Sequence, residues 1–272
     1  MIGAIIGDVI GSLFENENTK TEDFLLFRRH SRFTDDTVLS VAIADAILHR
    51  KSHSITLIQS HLNRSLYAHK LKEYARRFPN AGYGQMFVEW VQSASLRGYR
   101  SYGNGSAMRV SAIGFAFDNL GEVLREARLS ALVTHNHPEG IKGAQAIASA
   151  IFLARKGKSK SEIKLFIEQR FKYNLGRRLE DIRPTYQFDS ACKKSVPEAI
   201  IAFLASQNFE DTIRKAISLG GDSDTIACMA GGIAQAFYRE IPDSLVSQTN
   251  LRLDWGLKRV INRFNERYGL SF

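Results

Sequence analysis

Apolar residues recur along most of this chain at intervals of three and four, the spacing that places them on one face of an α-helix. No stretch shows the convincing alternation of apolar and polar residues that a half-buried β-strand requires. The pattern therefore predicts an all-α protein of roughly a dozen helices, whereas residues 174–192 look irregular. After the first segment, we expect helices near 38–50, 55–77, 84–95, 107–117, 120–133, 139–156, 159–171, 196–206, 209–218, 224–238 and 250–268.

The first segment, residues 2–14, would carry a stripe of glycines. Gly3, Gly7 and Gly11 are spaced four apart, so they would share one helix face. Such a face lets another helix or a ligand approach closely, at a cost of about 1 kcal/mol per glycine in helix propensity. Asp8 interrupts the apolar run, and Glu15 ends it. An acid at that end is either a functional group or a solvated helix terminus.

Two segments place a threonine and two aspartates where a predicted helix begins. Residues 33–37 read Phe-Thr-Asp-Asp-Thr, and residues 220–225 read Gly-Gly-Asp-Ser-Asp-Thr; an apolar run follows each. Short oxygen-bearing side chains are common helix caps, and capping is the simpler interpretation of a single segment. Two segments that share threonine and paired aspartates favour a second interpretation, a site for a hard divalent cation.

If these two helix starts meet in the fold, four carboxylates share one site. Their repulsion would be severe unless one or two divalent ions neutralised it. The segments lie in the first and last thirds of the chain, so their meeting would join both ends into one unit. We find no internal repeat of fixed period and no low-complexity segment. Residues 1–272 are therefore expected to form a single domain.

A glycine-rich segment, Gly98 to Arg109, precedes the helix expected near 107–117. Glycines expose backbone amides, which can bind an anion in front of a helix, although a plain surface loop is the alternative. The segment matches neither the Gly-x-Gly-x-x-Gly pattern nor the Walker loop of α/β nucleotide-binding folds. Further on, His135 and His137 invite a metal interpretation. No cysteine or acid pair completes a zinc site, so a polar helix-capping turn explains them more simply.

Composition excludes some protein classes. The contents of 44% hydrophobic and 24% charged residues are typical of a soluble globular protein. Cys192 and Cys228 give no disulfide framework, no basic leader precedes the apolar start, and no window reaches the roughly 18 apolar residues of a membrane span. We therefore expect a cytoplasmic protein without membrane association. The net charge of +9 fits a solvated basic surface or a polyanionic partner, such as a nucleotide or a nucleic acid.

Five segments resemble motifs of the ADP-ribosylglycohydrolases, the family of the dinitrogenase reductase-activating glycohydrolase and the ADP-ribosylhydrolases. They occur in the family's order and cover the chain from residue 2 to about 240. Each would be weak evidence alone, but five in order, including both acidic helix starts, are specific. The segments are residues 7–15, 33–37, 102–109, 134–135 and 220–225.

The resemblance implies a compact, single-domain orthogonal bundle of helices with two Mg²⁺ ions in a cleft, and it implies a set of site residues. Glu15 matches the family's acidic residue beside the metals. His135 would lie against the diphosphate or its ribose, and Tyr102 near the adenine. The implied metal ligands are Thr34, Asp35, Asp36, Asp222, Asp224 and Thr225. The implied ADP-ribose loop comprises Ser101, Tyr102, Gly103, Asn104, Gly105 and Ser106, with the diphosphate on its backbone amides.

The implied reaction is hydrolysis of the bond at C1 of the distal ribose, which removes ADP-ribose from a protein side chain, a small molecule or a nucleic acid. Carboxylates near the sugar would stabilise an oxocarbenium-like transition state. Asp36, Asp222 or Glu15 would orient the attacking water. Glu15 and Asp222 are the strongest candidates for the base, since each lies in a matched motif near the metals. The irregular residues 174–192 are expected to shape the acceptor side.

Two other functions stay open from the sequence. A non-catalytic ADP-ribose-binding module could use the same scaffold, although such a protein could lose acids without penalty and this chain retains them, Glu15 included. A magnesium-dependent phosphohydrolase could also use paired carboxylates. That function would leave the loop around Tyr102 without an obvious purpose.

Overall fold

The computed structural model describes residues 1–50 and 57–270. Within them the chain folds into α-helices, and the sole β-type pairing is an isolated bridge between Gly103 and Ala191. This confirms the all-α prediction for the part of the chain described. The helices are α1 (Ile2–Gly11), α2 (Asp35–Leu48), α3 (Leu57–Arg77), α4 (Gln85–Gln92), α5 (Gly105–Met108), α6 (Ser111–Ala116), α7 (Leu120–Leu132), α8 (Pro138–Arg155), α9 (Lys160–Phe171), α10 (Leu179–Ile182), α11 (Cys192–Ala205), α12 (Phe209–Ser218), α13 (Ser223–Tyr238), α14 (Asp243–Asn250) and α15 (Trp255–Tyr268).

The pair α1 and α13 lies at the centre of the core. Every residue of α1 is buried, as is α13 up to Ala236. A Cβ on Gly7 would lie 2.1 Å from the carbonyl oxygen of Ala227, and one on Gly11 would lie 2.5 Å from the Cα of Asp224. The glycine stripe therefore serves close helix packing, the first of the two uses that its spacing allows. This packing brings the start of α13 against the end of α1.

The remaining helices surround this pair. Helix α2 packs against α3, α6 and α15, while α8 packs against α6, α7, α11 and α13. The buried apolar side chains form one continuous core that extends from Met1 to Phe264. The fold is thus a single compact domain. Among the described residues, no helix is both long enough and apolar enough to cross a bilayer.

Several helix limits differ from those predicted. The helix expected over 107–117 is two short helices, α5 and α6, and the irregular stretch 174–192 contains the short helix α10. The helix expected from 250 begins later, because Asp254 accepts hydrogen bonds from two amides of the first turn of α15. Helix α14, which precedes it, was not predicted. Of the helix expected over 55–77, the first two positions lie outside the described residues.

Candidate active site

The first turns of α2 and α13 meet at one end of the core. Thr225 Oγ1 donates a hydrogen bond to Asp36 Oδ2 across 3.1 Å. Thr34 caps α2, with its hydroxyl oxygen 3.4 Å from the Asp36 amide. Asp222 occupies the corresponding position before α13, but its side chain caps nothing and instead accepts from Asn104 Nδ2 at 2.7 Å. The two segments with threonine and aspartates, residues 33–37 and 220–225, therefore come together in the fold.

Two glycines turn the chain into α13. Gly220 and Gly221 have φ values of 72° and 71°, a region that residues with a side chain rarely adopt. The Gly221 amide donates to the side-chain oxygen of Asn18, and Lys20 Nζ donates to the carbonyl oxygen of Leu219 at 2.5 Å. The segment that follows α1 therefore holds this turn in place, which fixes the position of the acids that follow it.

Five carboxylates gather at these helix starts. Oxygens of Asp8, Asp36 and Asp224 lie within 4.8 Å of one another, and so do oxygens of Glu15, Asp222 and Asp224. Asp224 is common to both groups. All but Glu15, which is half-buried, are almost completely removed from solvent. The cluster is therefore a dense negative charge in a place where water screens it little.

Burial and mutual repulsion raise the pKa of these acids. For Asp36 and Asp224, burial is the main cause and neighbouring aspartates add to it, so that both pKa values lie well above the ordinary range. Burial and then Asp222 raise the pKa of Glu15. Asp35, at the edge of the cluster, has a pKa raised to about 8 by burial and then by Asp8 and Asp222. A bound cation would reverse these shifts.

The residues present suit a hard divalent cation. Oδ1 of Asp36 is buried and has no hydrogen-bond partner among the described residues. A buried carboxylate oxygen without a hydrogen-bond donor destabilises the fold unless a cation binds it. The donor atoms around it are carboxylate and hydroxyl oxygens, the ligands that Mg²⁺ and Ca²⁺ prefer. The cluster could therefore hold metal.

Asp8 is a site residue that the sequence interpretation missed. It accepts hydrogen bonds from the amide (3.0 Å) and hydroxyl (2.6 Å) of Thr34 and from the amide (3.0 Å) and hydroxyl of Thr37. Three of these bonds end on Oδ2 and one ends on Oδ1, so most of the acceptor capacity of Asp8 is used. It therefore fixes the first turn of α2 on α1. The signal in the sequence is one acid within an otherwise apolar, glycine-rich helix.

The cluster opens into a cavity of about 400 Å³. Asp35 and Asp224 both line it, so the two acidic segments share one face of the protein. Part of the glycine-rich loop, residues 101–106, lines the cavity as well. The predicted site residues that line the cavity are Glu15, Thr34, Asp35, Asp36, Ser101, Gly103, Asn104, Gly105, His135, Asp222, Asp224 and Thr225.

Two residues of the glycine-rich loop, Tyr102 and Ser106, are not among those that line the cavity. The Tyr102 side chain is 60% exposed, and its ring lies edge-on to the ring of His137 with centroids 5.8 Å apart. Ser106 is buried and donates from its hydroxyl to the carbonyl oxygen of Gly140 at 2.8 Å. The stacking of adenine on Tyr102 stays a prediction. The aromatic side chains that do line the cavity were not singled out from the sequence; they are Phe87, Tyr99 and Phe188.

The end of the irregular stretch 174–192 holds the glycine-rich loop. The amide of Asn104 donates to the carbonyl oxygen of Ser190 at 2.7 Å, and the amide of Cys192 donates to that of Tyr102 at 3.0 Å. These bonds surround the isolated β-bridge and close one side of the cavity. The stretch therefore forms part of the cavity wall rather than a free connector.

His135 faces the loop as a neutral ring. Burial, and then the charge of Arg109, hold the pKa of His135 well below its usual range. Its Nδ1 is 2.7 Å from the hydroxyl oxygen of Thr134. A Cβ on Gly105 would lie 3.3 Å from His135 Nε2, so this nitrogen is turned toward the loop. His137 instead caps α8 by accepting from a first-turn amide at 3.2 Å, the capping role preferred over a zinc site.

Comparison with known proteins places this architecture in a family. The family model described as ADP-ribosylglycohydrolase matches residues 1–270. The chain belongs to the ADP-ribosylglycohydrolase family. Human ADP-ribosylhydrolase ARH3 is 28% identical, with 90% of this chain and 86% of that protein aligned. ADP-ribosylarginine hydrolase Tri1 of Pseudomonas putida (strain GB-1) is 24% identical over 88% of this chain and 69% of its own length.

A solved structure shares the fold. The structure titled "ADP-ribosylglycohydrolase-related protein complex" matches with a TM-score of 0.72 and 22% sequence identity, covering all of this chain and 96% of that one. The resemblance seen in the sequence motifs is thus confirmed. As a member of the ADP-ribosylglycohydrolase family, the protein is a glycosidic-bond hydrolase, and the family acts on ADP-ribosylated substrates.

Proposed function

We propose that this ADP-ribosylglycohydrolase uses Mg²⁺ to cleave the bond between C1 of the distal ribose of ADP-ribose and an acceptor. The acceptor classes are a protein side chain, a small molecule and a nucleic acid. The observation that carries the proposal is the convergence of two oxygen-rich helix starts, with Glu15, in a cavity that faces a glycine-rich loop and a neutral histidine. Metal, sugar and diphosphate would each meet a matching surface there.

Two ions would be held by the six oxygen-bearing residues at the helix starts. The orphaned Oδ1 of Asp36 and the position of Asp224 in both carboxylate groups support this assignment. When bound, the ions would neutralise the acids and act as Lewis acids toward the hydroxyls of the distal ribose. Asp8 would hold the first turn of α2 in register for the ligands. The proposed ligands are Thr34, Asp35, Asp36, Asp222, Asp224 and Thr225.

The ADP portion would lie along the glycine-rich loop, with the adenine toward Tyr102. The amides of Gly103 and Asn104 already donate within the protein, to Ser101 Oγ at 3.2 Å and to a carbonyl oxygen at 2.7 Å. These two residues would therefore set the shape of the loop around the ligand. The Gly105 amide, together with His135, would meet the diphosphate, because backbone amides and a neutral donor suit phosphate oxygens. Ser106 is fully buried and would support the loop through its bond to Gly140.

Glu15 is the residue that we propose as general base. It is half-buried and lines the cavity, so water there can reach it. It is not among the six proposed metal ligands, so its carboxylate stays free to accept a proton. Glu15 would take a proton from the attacking water, whose oxygen bonds to C1 as the bond to the acceptor breaks, and the acceptor would leave with a proton from solvent. Asp36 and Asp222 would stabilise the positive charge that develops on the ribose.

A panel of ADP-ribosylated compounds tests the proposal. ADP-ribosyl-arginine, ADP-ribosyl-serine, O-acetyl-ADP-ribose and an ADP-ribosylated oligonucleotide are incubated with Mg²⁺ or with chelator, and products are identified by mass spectrometry. We expect free ADP-ribose from at least one compound, only with Mg²⁺. Asp222→Asn should abolish release, and Asp118→Asn, a change in a carboxylate that is 81% exposed, should not.

Other outcomes of this panel would contradict the proposal. Phosphate release from nucleotides without ADP-ribose release would indicate a phosphohydrolase. Binding of ADP-ribose without turnover of any compound would indicate a binding module. The nucleic-acid class has a further check, since an affinity for single-stranded DNA or RNA that is insensitive to salt would remove the argument from the net charge of +9.

A further inference from the structure

Arg109 is a buried cation with no carboxylate partner in the described parts of the chain. It is 0% exposed and lines the cavity. Its Nη2 donates to the carbonyl oxygen of Ser130 at 2.7 Å and to Thr134 Oγ1 at 2.8 Å. Nε and Nη1 have no acceptor in the part of the chain described. A buried charge with such incomplete pairing is expensive, and apolar side chains would fill the space at less cost.

The bond from Arg109 determines which way the Thr134 hydroxyl points. A guanidinium can only donate, so Thr134 Oγ1 must accept from it. The single hydroxyl hydrogen is then available for His135 Nδ1, which is 2.7 Å away. If the imidazole donated instead, the hydroxyl hydrogen of this fully buried threonine would lose that acceptor, which is unfavourable. Nδ1 of His135 is therefore an acceptor.

A neutral imidazole with Nδ1 as acceptor carries its hydrogen on Nε2. This nitrogen faces the glycine-rich loop, because a Cβ on Gly105 or Gly103 would lie 3.3 or 3.7 Å from it. No described residue accepts a hydrogen bond from Nε2. His135 thus presents an unused N–H group to the cavity. An acceptor role for Nδ1 keeps the hydrogen on Nε2, because the hydrogen bond at one ring nitrogen selects which nitrogen carries the proton.

We propose that Arg109 and Thr134 are positioning residues, which act through a hydrogen-bonded chain to hold His135 as the Nε2–H tautomer. The N–H group is thereby aimed at a phosphate oxygen of the substrate. The buried charge of Arg109 adds a positive potential at the same wall of the cavity. This inference rests on the proposed function, since the diphosphate is the group that His135 would contact.

A pair of substitutions at one position separates the hydroxyl from the methyl group. Thr134→Val removes the hydroxyl and keeps the shape, whereas Thr134→Ser keeps the hydroxyl. Long-range ¹H–¹⁵N spectra distinguish the protonated from the unprotonated imidazole nitrogen, and the signals that disappear in His135→Gln assign the residue. We expect the Nε2–H tautomer in the wild type and in Thr134→Ser. In Thr134→Val, the Nδ1–H tautomer should become substantially populated.

Ligand binding gives the second readout. Calorimetric titration with ADP-ribose should show Kd raised about tenfold in Thr134→Val and nearly unchanged in Thr134→Ser, the size expected for one hydrogen bond to a charged group. In turnover, KM should rise with kcat retained; a loss of folded protein would instead lower kcat alone. Arg109→Lys, which keeps the charge but loses the planar donor geometry, should show the same tautomer change if it folds.

Two results would overturn the inference. One is an Nδ1–H tautomer in the wild-type protein, and this measurement does not depend on the folding of any variant. The other is an unchanged Kd for ADP-ribose in Thr134→Val. The tautomer is measured without substrate, so it tests this inference independently of the proposed function. Failure of the proposed function would instead show as the absence of turnover in the wild type.

Discussion

The hydroxyl of Thr225 donates a hydrogen bond to Asp36 Oδ2 at 3.1 Å, although 189 positions separate the two residues in the sequence. This bond joins the first turn of α13 to the first turn of α2. It orients one oxygen of Asp36 and leaves the other buried without a partner among the described residues. The free oxygen is the feature that most directly suggests a cation at this place.

Substitution of the shared acid should remove activity and relieve repulsion. Asp224 belongs to both carboxylate groups, so we expect Asp224→Asn to lower kcat/KM by at least about 100-fold, the range typical of lost catalytic charge stabilisation. In chelator, the same change should stabilise the fold by about 1 kcal/mol, because folding no longer has to protonate a carboxylate, or keep it charged, in a buried repulsive cluster. Steady-state kinetics and denaturant unfolding measure the two effects.

The control for this experiment is Asp118→Asn, which removes a carboxylate from an exposed ion pair. It should leave both quantities within error, since such pairs contribute about 0–1 kcal/mol. Full activity of Asp224→Asn, or equal activity of the wild type with and without chelator, would contradict a metal role for the cluster.

The glycine stripe should tolerate no side chain. Gly7→Ala places a Cβ 2.1 Å from a backbone oxygen of α13, and backbone cannot move aside as a flexible side chain can. We expect a loss of about 3 kcal/mol or more in the free energy of unfolding, the range of severe overpacking. Gly176→Ala is the matched control, because Gly176 is exposed and its nearest neighbour atom would be 3.5 Å away. Thermal unfolding gives the melting temperatures of Gly7→Ala and Gly176→Ala, and equal values would refute the packing role of Gly7.

Stability should depend on pH in the absence of metal. The pKa of Asp35 in the folded protein is about 8 against an ordinary value of 3.8, so between these values the folded state holds a proton that the unfolded chain releases. The stability that this acid contributes is therefore present below pH 4 and lost as the pH rises through 8. We expect the melting temperature in chelator to fall by about 5 °C or more from pH 5 to pH 8.

Two comparisons make this pH dependence specific. Asp35→Asn should flatten the profile, because the amide cannot ionise. Saturating Mg²⁺ should raise the melting temperature most at pH 8, where the acids are charged and the ions bind best. A profile that rises with pH in chelator would show that these carboxylates ionise without penalty.

Local sequence determines much of this fold and less of its site. Helical periodicity located most of the helices, and the two oxygen-rich starts were recognisable because capping chemistry repeats there. The role of Asp8 was not recognisable from the sequence, because its partners Thr34 and Thr37 contact it only when α1 and α2 pack together. Phe188 was missed for the same reason: it comes from the irregular stretch and lines the cavity only through tertiary contacts.

Calorimetric titration of Mg²⁺ into the chelator-treated protein tests the central claim most directly, because it asks whether the joined starts of α2 and α13 hold cations. We predict saturable binding of two ions per chain in the wild type and in Asp118→Asn, with loss of at least one ion in Asp36→Asn. Absence of saturable binding in the wild type, or an unchanged titration in Asp36→Asn, would contradict the account.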